Sequence, residues 1–272
     1  MVENNFDRGG MKKIILAGGL NSKSGDVTAS LRGFLGYCRR ELGFCSSDFF
    51  ELSYNGRFGR ELWEPVLYGP KDTQAPIKTG INTFIRNINY YNSFLPRGAQ
   101  MHFVGESLGG FLMFQALSAI SRQSMYLFGD RYATLSTLGS PHFGSDLGEC
   151  NNPLELGLRI LIEPGIPQCP AVADLQEFGK SLVYRLSVMS QADLLREYGL
   201  GLLTLAGEYD VIVTPDESVI AGGSERQKFV LDTSPSRLMG TKDRDFLGHG
   251  KLADTFAAWK MMGSLIGCQV PF

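Results

Sequence analysis

The sequence carries little net charge of either sign. Its 26 lysines and arginines against 28 aspartates and glutamates leave a formal charge of −2 over 272 residues, with no run of like charges. A nucleic-acid binder shows a basic stripe, so this balance argues against that class of partner. No stretch approaches the roughly 18 apolar residues that a transmembrane helix needs. The start of the chain is polar, unlike a signal peptide, and predicts a flexible tail over residues 1–10 and a cytoplasmic location.

Cysteine and histidine are both scarce. The five cysteines are odd in number and scattered, which is not the pattern of a disulfide framework, although one bridge between Cys150 and Cys169 is an alternative. No Cys-x-x-Cys or His-x-x-x-His pair indicates a metal, and we expect neither a metal nor a cofactor. The three histidines are His102, His142 and His249. Any chemistry that needs an imidazole base must use one of them.

The sequence does contain a regular alternation of strand and helix patterns. Short apolar runs such as Lys12–Ala17 and Ala133–Leu138 are typical of buried parallel strands. Amphipathic stretches such as Ile77–Leu95 lie between them and predict helices. This alternation predicts a single α/β domain over residues 11–272. Ligands of such sheets bind beyond the carboxyl ends of the strands, where the unusual loops of this chain also fall.

The most informative stretch runs from residue 100 into a Gly-x-Ser-x-Gly sequence centred on Ser107, and a helical pattern follows at once. That order predicts a sharp strand-to-helix turn that holds a serine out at the end of a parallel sheet. The flanking glycines are expected because side chains there would collide with the adjacent strand and helix. The pentapeptide also occurs by chance, so a base and an acid must be found elsewhere in the chain.

A serine hydroxyl needs a base within hydrogen-bond distance to act as a nucleophile, and the base needs an acid to orient it. His102 lies inside the strand that precedes Ser107, and we expect it to be structural. His249 follows the last predicted strand and is the predicted base. His142, at the end of an earlier strand, is the alternative base.

Asp210 is the predicted acid, because it follows the strand Leu202–Ala206 closely. Glu208 and Asp216 on the same loop are alternatives, and both would otherwise be solvated loop carboxylates. Serine, acid and histidine then come in the chain order that α/β-hydrolase sheets use, with the acid after one strand and the histidine after the next.

An oxyanion hole needs amide donors aimed at the oxygen on which negative charge develops. One predicted donor is the backbone N–H of Leu108, at the start of the helix after the serine. The other is the N–H of Leu20, with Gly19 second, in the turn after the first strand. The alternative for this glycine pair is an ordinary tight turn between strand and helix.

Four stretches resemble the α/β-hydrolase superfamily and, within it, the lipase and GPI inositol-deacylase-like group. Residues 14–22 are similar to the strand and oxyanion loop, and residues 105–110 to the Gly-His-Ser-Leu-Gly-Gly turn. Residues 138–145 are similar to the Gly-Thr-Pro-His-x-Gly-Ser loop, and residues 170–175 to the segment before the last cap helix.

The resemblance implies a minimal α/β-hydrolase fold, with helices on both faces of about six parallel strands in the order 2-1-3-4-5-6. It also implies that the late histidine is the base, which supports His249 over His142. Gly18 and Glu106 depart from the family, which usually has histidine at both positions. Neither replaced residue belongs to the family's triad, so hydrolysis is still expected.

Residues 146–180 are rich in proline and leucine and break the alternation, which predicts a cap or lid insertion. Together with the loop at 54–76, this insertion should flank the entrance to the serine. An apolar groove there would suit an acyl chain, and the alternative is a hydrophobic core beneath a small cap. The predicted substrate-binding residues are Trp63, Phe143, Leu158 and Leu161.

We therefore predict a serine hydrolase that cleaves carboxylic esters of apolar or lipid-like substrates through an acyl-serine intermediate. The expected partner is a small-molecule or lipid ester, with transient contact to a membrane surface. An acyltransferase or thioesterase with the same triad is the first alternative, and a peptidase or amidase is the second. A non-catalytic, partner-binding protein on a hydrolase fold is the alternative of another class.

Overall fold

The computed structural model describes residues 11–56, 67–145, 169–208, 210, 212–220, 228–231, 249 and 252–268. The predicted tail at 1–10, residues 146–168 of the predicted cap, and Trp63, Leu158 and Leu161 lie outside these residues. Six strands form one parallel sheet in the order β2-β1-β3-β4-β5-β6. They are β1 Lys12–Ala17, β2 Phe49–Glu51, β3 Gln100–Glu106, β4 Tyr132–Leu138, β5 Gly201–Gly207 and β6 Lys228–Leu231. The predicted fold class and strand order are confirmed.

Helices cover both faces of the sheet. Their bounds are α1 Asp26–Ser30, α2 Arg32–Glu41, α3 Pro70–Thr73, α4 Ile77–Phe94, α5 Leu108–Ser124, α6 Pro170–Gly179, α7 Leu182–Glu197, α8 Pro215–Ser218 and α9 Phe256–Cys268. Short 3₁₀ helices span Ser46–Asp48, Met125–Leu127 and Leu252–Asp254. One cluster of buried side chains packs α4 to α7 against the sheet, and a second packs α1, α2 and α9 against its other face. None of the described helices is both long and apolar enough to cross a membrane.

Two predicted helices differ in detail from the structure. The pattern from Asp26 to Leu42 predicts one helix, but the structure breaks it at the fully buried Leu31, whose ψ of 13° is not helical. The closing helix, predicted to begin at Leu252, begins there as a 3₁₀ turn and becomes α-helical at Phe256. Hydrophobic periodicity is nearly the same across such breaks, so it does not reveal them.

The last part of the predicted cap, α6, packs in the core. Ala171, Val172 and Leu175 are buried. Asp174 accepts a 2.8 Å hydrogen bond through Oδ2 from the backbone N–H of Ile77, at the first turn of α4. That carboxylate supplies a partner for one of the amides that a helix start leaves unpaired. Cys169, just before α6, is a buried free cysteine.

Close packing of α2 on α9 fixes the segment that follows His249. A Cβ added at Gly33 would lie 2.0 Å from Cζ2 of Trp259, so only glycine leaves room for the indole ring. The indole N–H of Trp259 donates a 2.7 Å hydrogen bond to the carbonyl of Ala253, in the 3₁₀ helix. The lack of a side chain at Gly33 therefore lets Trp259 pack here and hold the chain just beyond His249.

We expect Gly33→Ala to lower the free energy of unfolding by about 1–3 kcal/mol through overpacking against the indole ring. Gly36→Ala is the matched control on the same helix, because its Cβ would meet only the flexible end of Arg40. That variant should gain up to about 1 kcal/mol from helix propensity. Urea unfolding of both variants measures the difference, and equal stabilities would contradict this account of the α2–α9 contact.

Two of the three histidines are buried beside the sheet. Nδ1 of His102 lies 3.0 Å from Oγ1 of Thr134, and Nε2 of His142 lies 2.9 Å from Oγ1 of Thr137. Neither side chain is exposed to solvent. Burial lowers the pKa of each imidazole from 6.5 to about 3. Both rings are therefore neutral near pH 7, which agrees with the structural role predicted for His102.

These neutral rings should make the protein sensitive to acid. Below pH 6.5 the unfolded chain binds protons that the folded chain cannot, so stability falls as the pH decreases toward 3. Each histidine contributes a slope of about 1.4 kcal/mol per pH unit in that window. His102→Asn, which retains a polar group near Thr134, should remove one such contribution. Urea unfolding between pH 4 and 7 measures the slope, and an unchanged slope would contradict the neutral burial of His102.

Candidate active site

The turn that holds Ser107 is strained. β3 ends at Glu106 and α5 begins at Leu108, which leaves one residue for the reversal. Ser107 has φ 50° and ψ −129°, a region that side chains disfavour. Its N–H donates a 2.8 Å hydrogen bond to the carbonyl of Leu138, at the end of β4. The neighbouring strand thus holds the serine in a conformation that an isolated chain would avoid.

The flanking glycines allow strand and helix to approach each other closely, as predicted. A Cβ at Gly105 would lie 2.4 Å from Cα of Gly110, and one at Gly109 would lie 2.3 Å from the carbonyl oxygen of Gly18. Both distances are far below van der Waals contact, so a larger residue would push the helix away from the sheet. The Gly-x-Ser-x-Gly pattern is therefore explained by packing at this turn.

Asp210 and His249 form a pair beyond the carboxyl end of the sheet. Nδ1 of His249 lies 2.5 Å from Oδ2 of Asp210. The other carboxylate oxygen of Asp210 accepts hydrogen bonds of 2.9 and 3.0 Å from the backbone N–H groups of Ile212 and Val213. Asp210 is 3% exposed, so its charge is satisfied by these partners rather than by water. The carboxylate holds Nδ1 of His249 as the donor and leaves Nε2 as the basic nitrogen.

The alternative acids and the alternative base lie elsewhere. Glu208 and Asp216 are exposed, whereas Asp210 is buried against His249. His142 packs between the rings of Phe111 and Phe114. Of the residues predicted to supply the acid and the base, the structure brings together Asp210 and His249.

The Asp210–His249 pair lies over the end of β4, next to the serine turn. A Cβ at Gly139 would lie 3.0 Å from Cε1 of His249 and 3.2 Å from Oδ2 of Asp210. Gly139 follows Leu138, whose carbonyl accepts the hydrogen bond from the N–H of Ser107. Leu138, the last residue of β4, and Gly139, which follows it, thus contact the serine turn and the acid–base pair.

The turn after β1 packs directly on the serine. A Cβ at Gly19 would lie 2.8 Å from Cβ of Ser107. The carbonyl of Gly19 accepts a 2.7 Å bond from Oγ of Ser22, and the N–H of Asn21 donates a 2.8 Å bond to Oγ1 of Thr73. The N–H of Leu20, which directly follows Gly19, is the predicted donor of this turn.

The second predicted donor belongs to the helix after the serine. Leu108 is the first residue of α5, where the amides have no carbonyl partner within the helix. This amide lies at the N-terminus of α5, which is the positive end of the helix dipole. Leu108 directly follows Ser107, and Gly19, which precedes Leu20, packs against the serine side chain.

Buried hydroxyls hold the turn after β1 in place. The hydroxyl of Tyr54 donates a 2.5 Å hydrogen bond to the carbonyl of Gly18. The hydroxyl of Tyr68 donates a 2.7 Å bond to Glu51, which also accepts bonds of 3.0 and 3.2 Å from the N–H of Gly25. Burial raises the pKa of Tyr54 and of Glu51. Their role in holding this turn was not predicted from the sequence, although Tyr54 and Tyr68 lie in the long loop at 54–76.

Phe143 has a different environment from the one predicted. Its side chain is 7% exposed and belongs to the core cluster, and the guanidinium of Arg185 lies 5.2 Å from its ring centroid. A cavity of about 230 Å³ beside it is lined mostly by polar side chains: Ser145, Gln176, Lys180, Arg185 and Glu217, with Gly179. Ser107 is not among the residues that line it. Within the described residues, no cluster of three histidine, cysteine or carboxylate side chains could hold a metal ion.

Comparisons with known proteins find solved structures that are similar to this chain. No model of a known protein family matches the chain, and no curated protein matches its sequence. Phospholipase PlaB from Legionella pneumophila, in complex with thio-NAD, matches with a TM-score of 0.50 and 15% identity over 73% of this chain. The chain spans 38% of that phospholipase, so it corresponds to less than half of it.

Two further structures match with lower scores. The metagenomic carboxyl esterase MGS0156 has a TM-score of 0.48 and 14% identity, over 96% of this chain and 76% of its own. An α/β hydrolase superfamily protein from Enterococcus faecalis has a TM-score of 0.44 and 16% identity, over 95% and 90%. Identities this low show likeness of fold alone. The parallel order of the strands and the serine turn after β3 are those of the α/β-hydrolase fold.

Proposed function

We propose that this protein is a serine hydrolase that cleaves carboxylic esters. The observation that carries the proposal is the 2.5 Å contact between Asp210 and His249, next to the strained turn of Ser107. These three residues are far apart in sequence, and the serine turn and the Asp210–His249 pair lie next to Leu138 and Gly139, at the end of β4. An acid, a base and an activated hydroxyl in this order have the chemistry of acyl transfer.

In this mechanism, Oγ of Ser107 attacks the ester carbonyl while Nε2 of His249 takes the hydroxyl proton. The Asp210 carboxylate stabilises the imidazolium that forms. The N–H groups of Leu108 and Leu20 donate hydrogen bonds to the oxyanion. His249 then gives its proton to the leaving alcohol, and the acyl group stays on Ser107. Water, deprotonated by His249, releases the acid and restores the serine.

For the substrate, we propose an apolar or lipid-like ester that makes transient contact with a membrane surface. Leucines and isoleucines are dense in residues 146–168, next in sequence to the loop at the end of β4. An apolar segment at such an edge suits an acyl chain. A phospholipase and a carboxyl esterase are among the proteins of similar structure. An acyltransferase or thioesterase would form the same acyl-serine and differ in the acceptor.

We expect the wild-type protein to label with a fluorophosphonate probe and Ser107→Ala not to label. His249→Ala should lower kcat/KM for p-nitrophenyl esters by about a thousandfold or more, because the serine then lacks its base. His142→Gln is the matched control, since its ring is buried away from the Asp210–His249 pair. Full activity in Ser107→Ala would contradict the nucleophile assignment, and a folded wild-type protein that fails to label would contradict the function.

Chain length of the substrate tests the apolar groove. Across p-nitrophenyl esters from acetate to dodecanoate, kcat/KM should rise by up to about fourfold per added methylene, which corresponds to about 0.8 kcal/mol of burial. Ser107→Ala supplies the blank for uncatalysed hydrolysis. A sharp fall beyond short chains would instead indicate an esterase for small substrates.

A further inference from the structure

Glu106 is a carboxyl group beside the nucleophile that the proposed mechanism does not use. It is the last residue of β3 and directly precedes Ser107. Side chains alternate along a strand, so Glu106 lies on the same face of the sheet as Val104. Val104 belongs to the cluster that also contains Leu252 and Ala253 of the 3₁₀ helix. Glu106 therefore faces the side of the sheet on which the His249 segment packs.

Two further contacts locate the carboxyl group. Oγ of Ser30, the last residue of α1, donates a hydrogen bond to Oε1 of Glu106. In the sheet, Glu106 pairs with Leu138, and a Cβ at the next residue, Gly139, would lie 3.0 Å from Cε1 of His249. The carboxyl group is thus held by Ser30 at the strand end over which the imidazole lies.

We propose that Glu106 is a positioning residue whose carboxylate acts through His249, by stabilising the imidazolium that forms when Ser107 gives up its proton. The inference rests on the proposed function. During attack, the proton moves from Oγ of Ser107 to Nε2 of His249, and the ring gains a positive charge. Asp210 meets that charge at Nδ1, and Glu106 supplies a second negative charge close to the ring. Attraction between opposite charges lowers the energy of this state.

The charge on Glu106 depends on pH near neutrality. Burial raises the pKa of Glu106 to about 7, while the hydrogen bond from Ser30 and the charge of His249 act in the opposite direction. The groups that face it are Ser30 from α1, His249, and Asp210 through its bond to His249. We therefore expect the charges of Glu106 and His249 to be coupled, with the carboxyl ionised and the imidazole neutral in the fast form of the enzyme.

Histidine titration followed by NMR tests the interaction without any substrate. His102 and His142 have pKa values near 3, so His249 should be the histidine that titrates between pH 5 and 9 in untagged protein. Glu106→Gln should lower the pKa of His249 by about one unit and leave a single titration step. Asp193→Asn, which removes an exposed carboxylate on α7, is the control and should change nothing. A shift below about 0.2 unit in Glu106→Gln would overturn the proposal.

The pH dependence of ester hydrolysis tests the catalytic consequence. Glu106→Gln should move the acid limb of kcat to lower pH and reduce its plateau by roughly three- to tenfold, with KM within about twofold of wild type. Ser30→Ala should move the acid limb of kcat to higher pH. Loss of its hydrogen bond raises the pKa of Glu106, so the fast form is reached only at higher pH. Its rate should resemble that of Glu106→Gln near pH 6 and approach wild type near pH 9.

The outcomes separate this inference from the proposed function. A wild-type protein that hydrolyses esters, with the same pH profile and plateau in Glu106→Gln, overturns the role of Glu106 alone. A folded wild-type protein without activity overturns both. If Glu106→Gln does not fold, Ser30→Ala decides: an alkaline shift with recovery at high pH supports the proposal, and a uniform loss at every pH overturns it.

Discussion

The strained turn at Ser107 depends on the close packing of three chain segments. A positive φ at a serine costs free energy and persists only where the surroundings oppose its relaxation. Here the carbonyl of Leu138, at the end of β4, accepts a hydrogen bond from the N–H of Ser107. Gly19, in the turn after β1, packs against the side chain of Ser107. The hydroxyl of Tyr54 also fixes this turn, because it donates a hydrogen bond to the carbonyl of Gly18. Displacing any of these segments would release the serine, so the core beneath the turn and the chemistry above it are linked.

Buried and partly buried carboxyl groups make the region around the serine turn sensitive to charge. Asp210, Glu106 and Glu51 are carboxyl groups near the strand ends, and each has hydrogen-bond partners: His249 and two amides, Ser30, and Tyr68 with the amide of Gly25. A carboxylate away from water is stable only when such partners replace its hydration. The pKa of Glu106 is raised by burial to about 7, so its charge depends on pH near neutrality.

Much of the architecture could be predicted from hydrophobic pattern alone. Lys12–Ala17 is a strand with the bounds predicted, because a parallel strand covered on both faces must be apolar throughout. The break at Leu31 could not be predicted, since the apolar face continues across it. Glu106 was visible as a departure from the lipase-like pattern. Its role required the contacts of Ser30 and the position of His249, which come from segments distant in sequence.

The sequence by itself determined the parallel sheet, the serine turn and the three histidines from which a base must come. These features follow from local patterns: apolar runs, glycines around a serine, and a short inventory of imidazoles. Tertiary structure alone decided that Asp210 rather than Glu208 or Asp216 meets His249, and that His142 and Phe143 belong to the core. The physical reason is that the sequence names a carboxylate, an imidazole or an aromatic ring in the same way whether that side chain is solvated or buried. Only packing determines which side chains lose water and gain each other as partners.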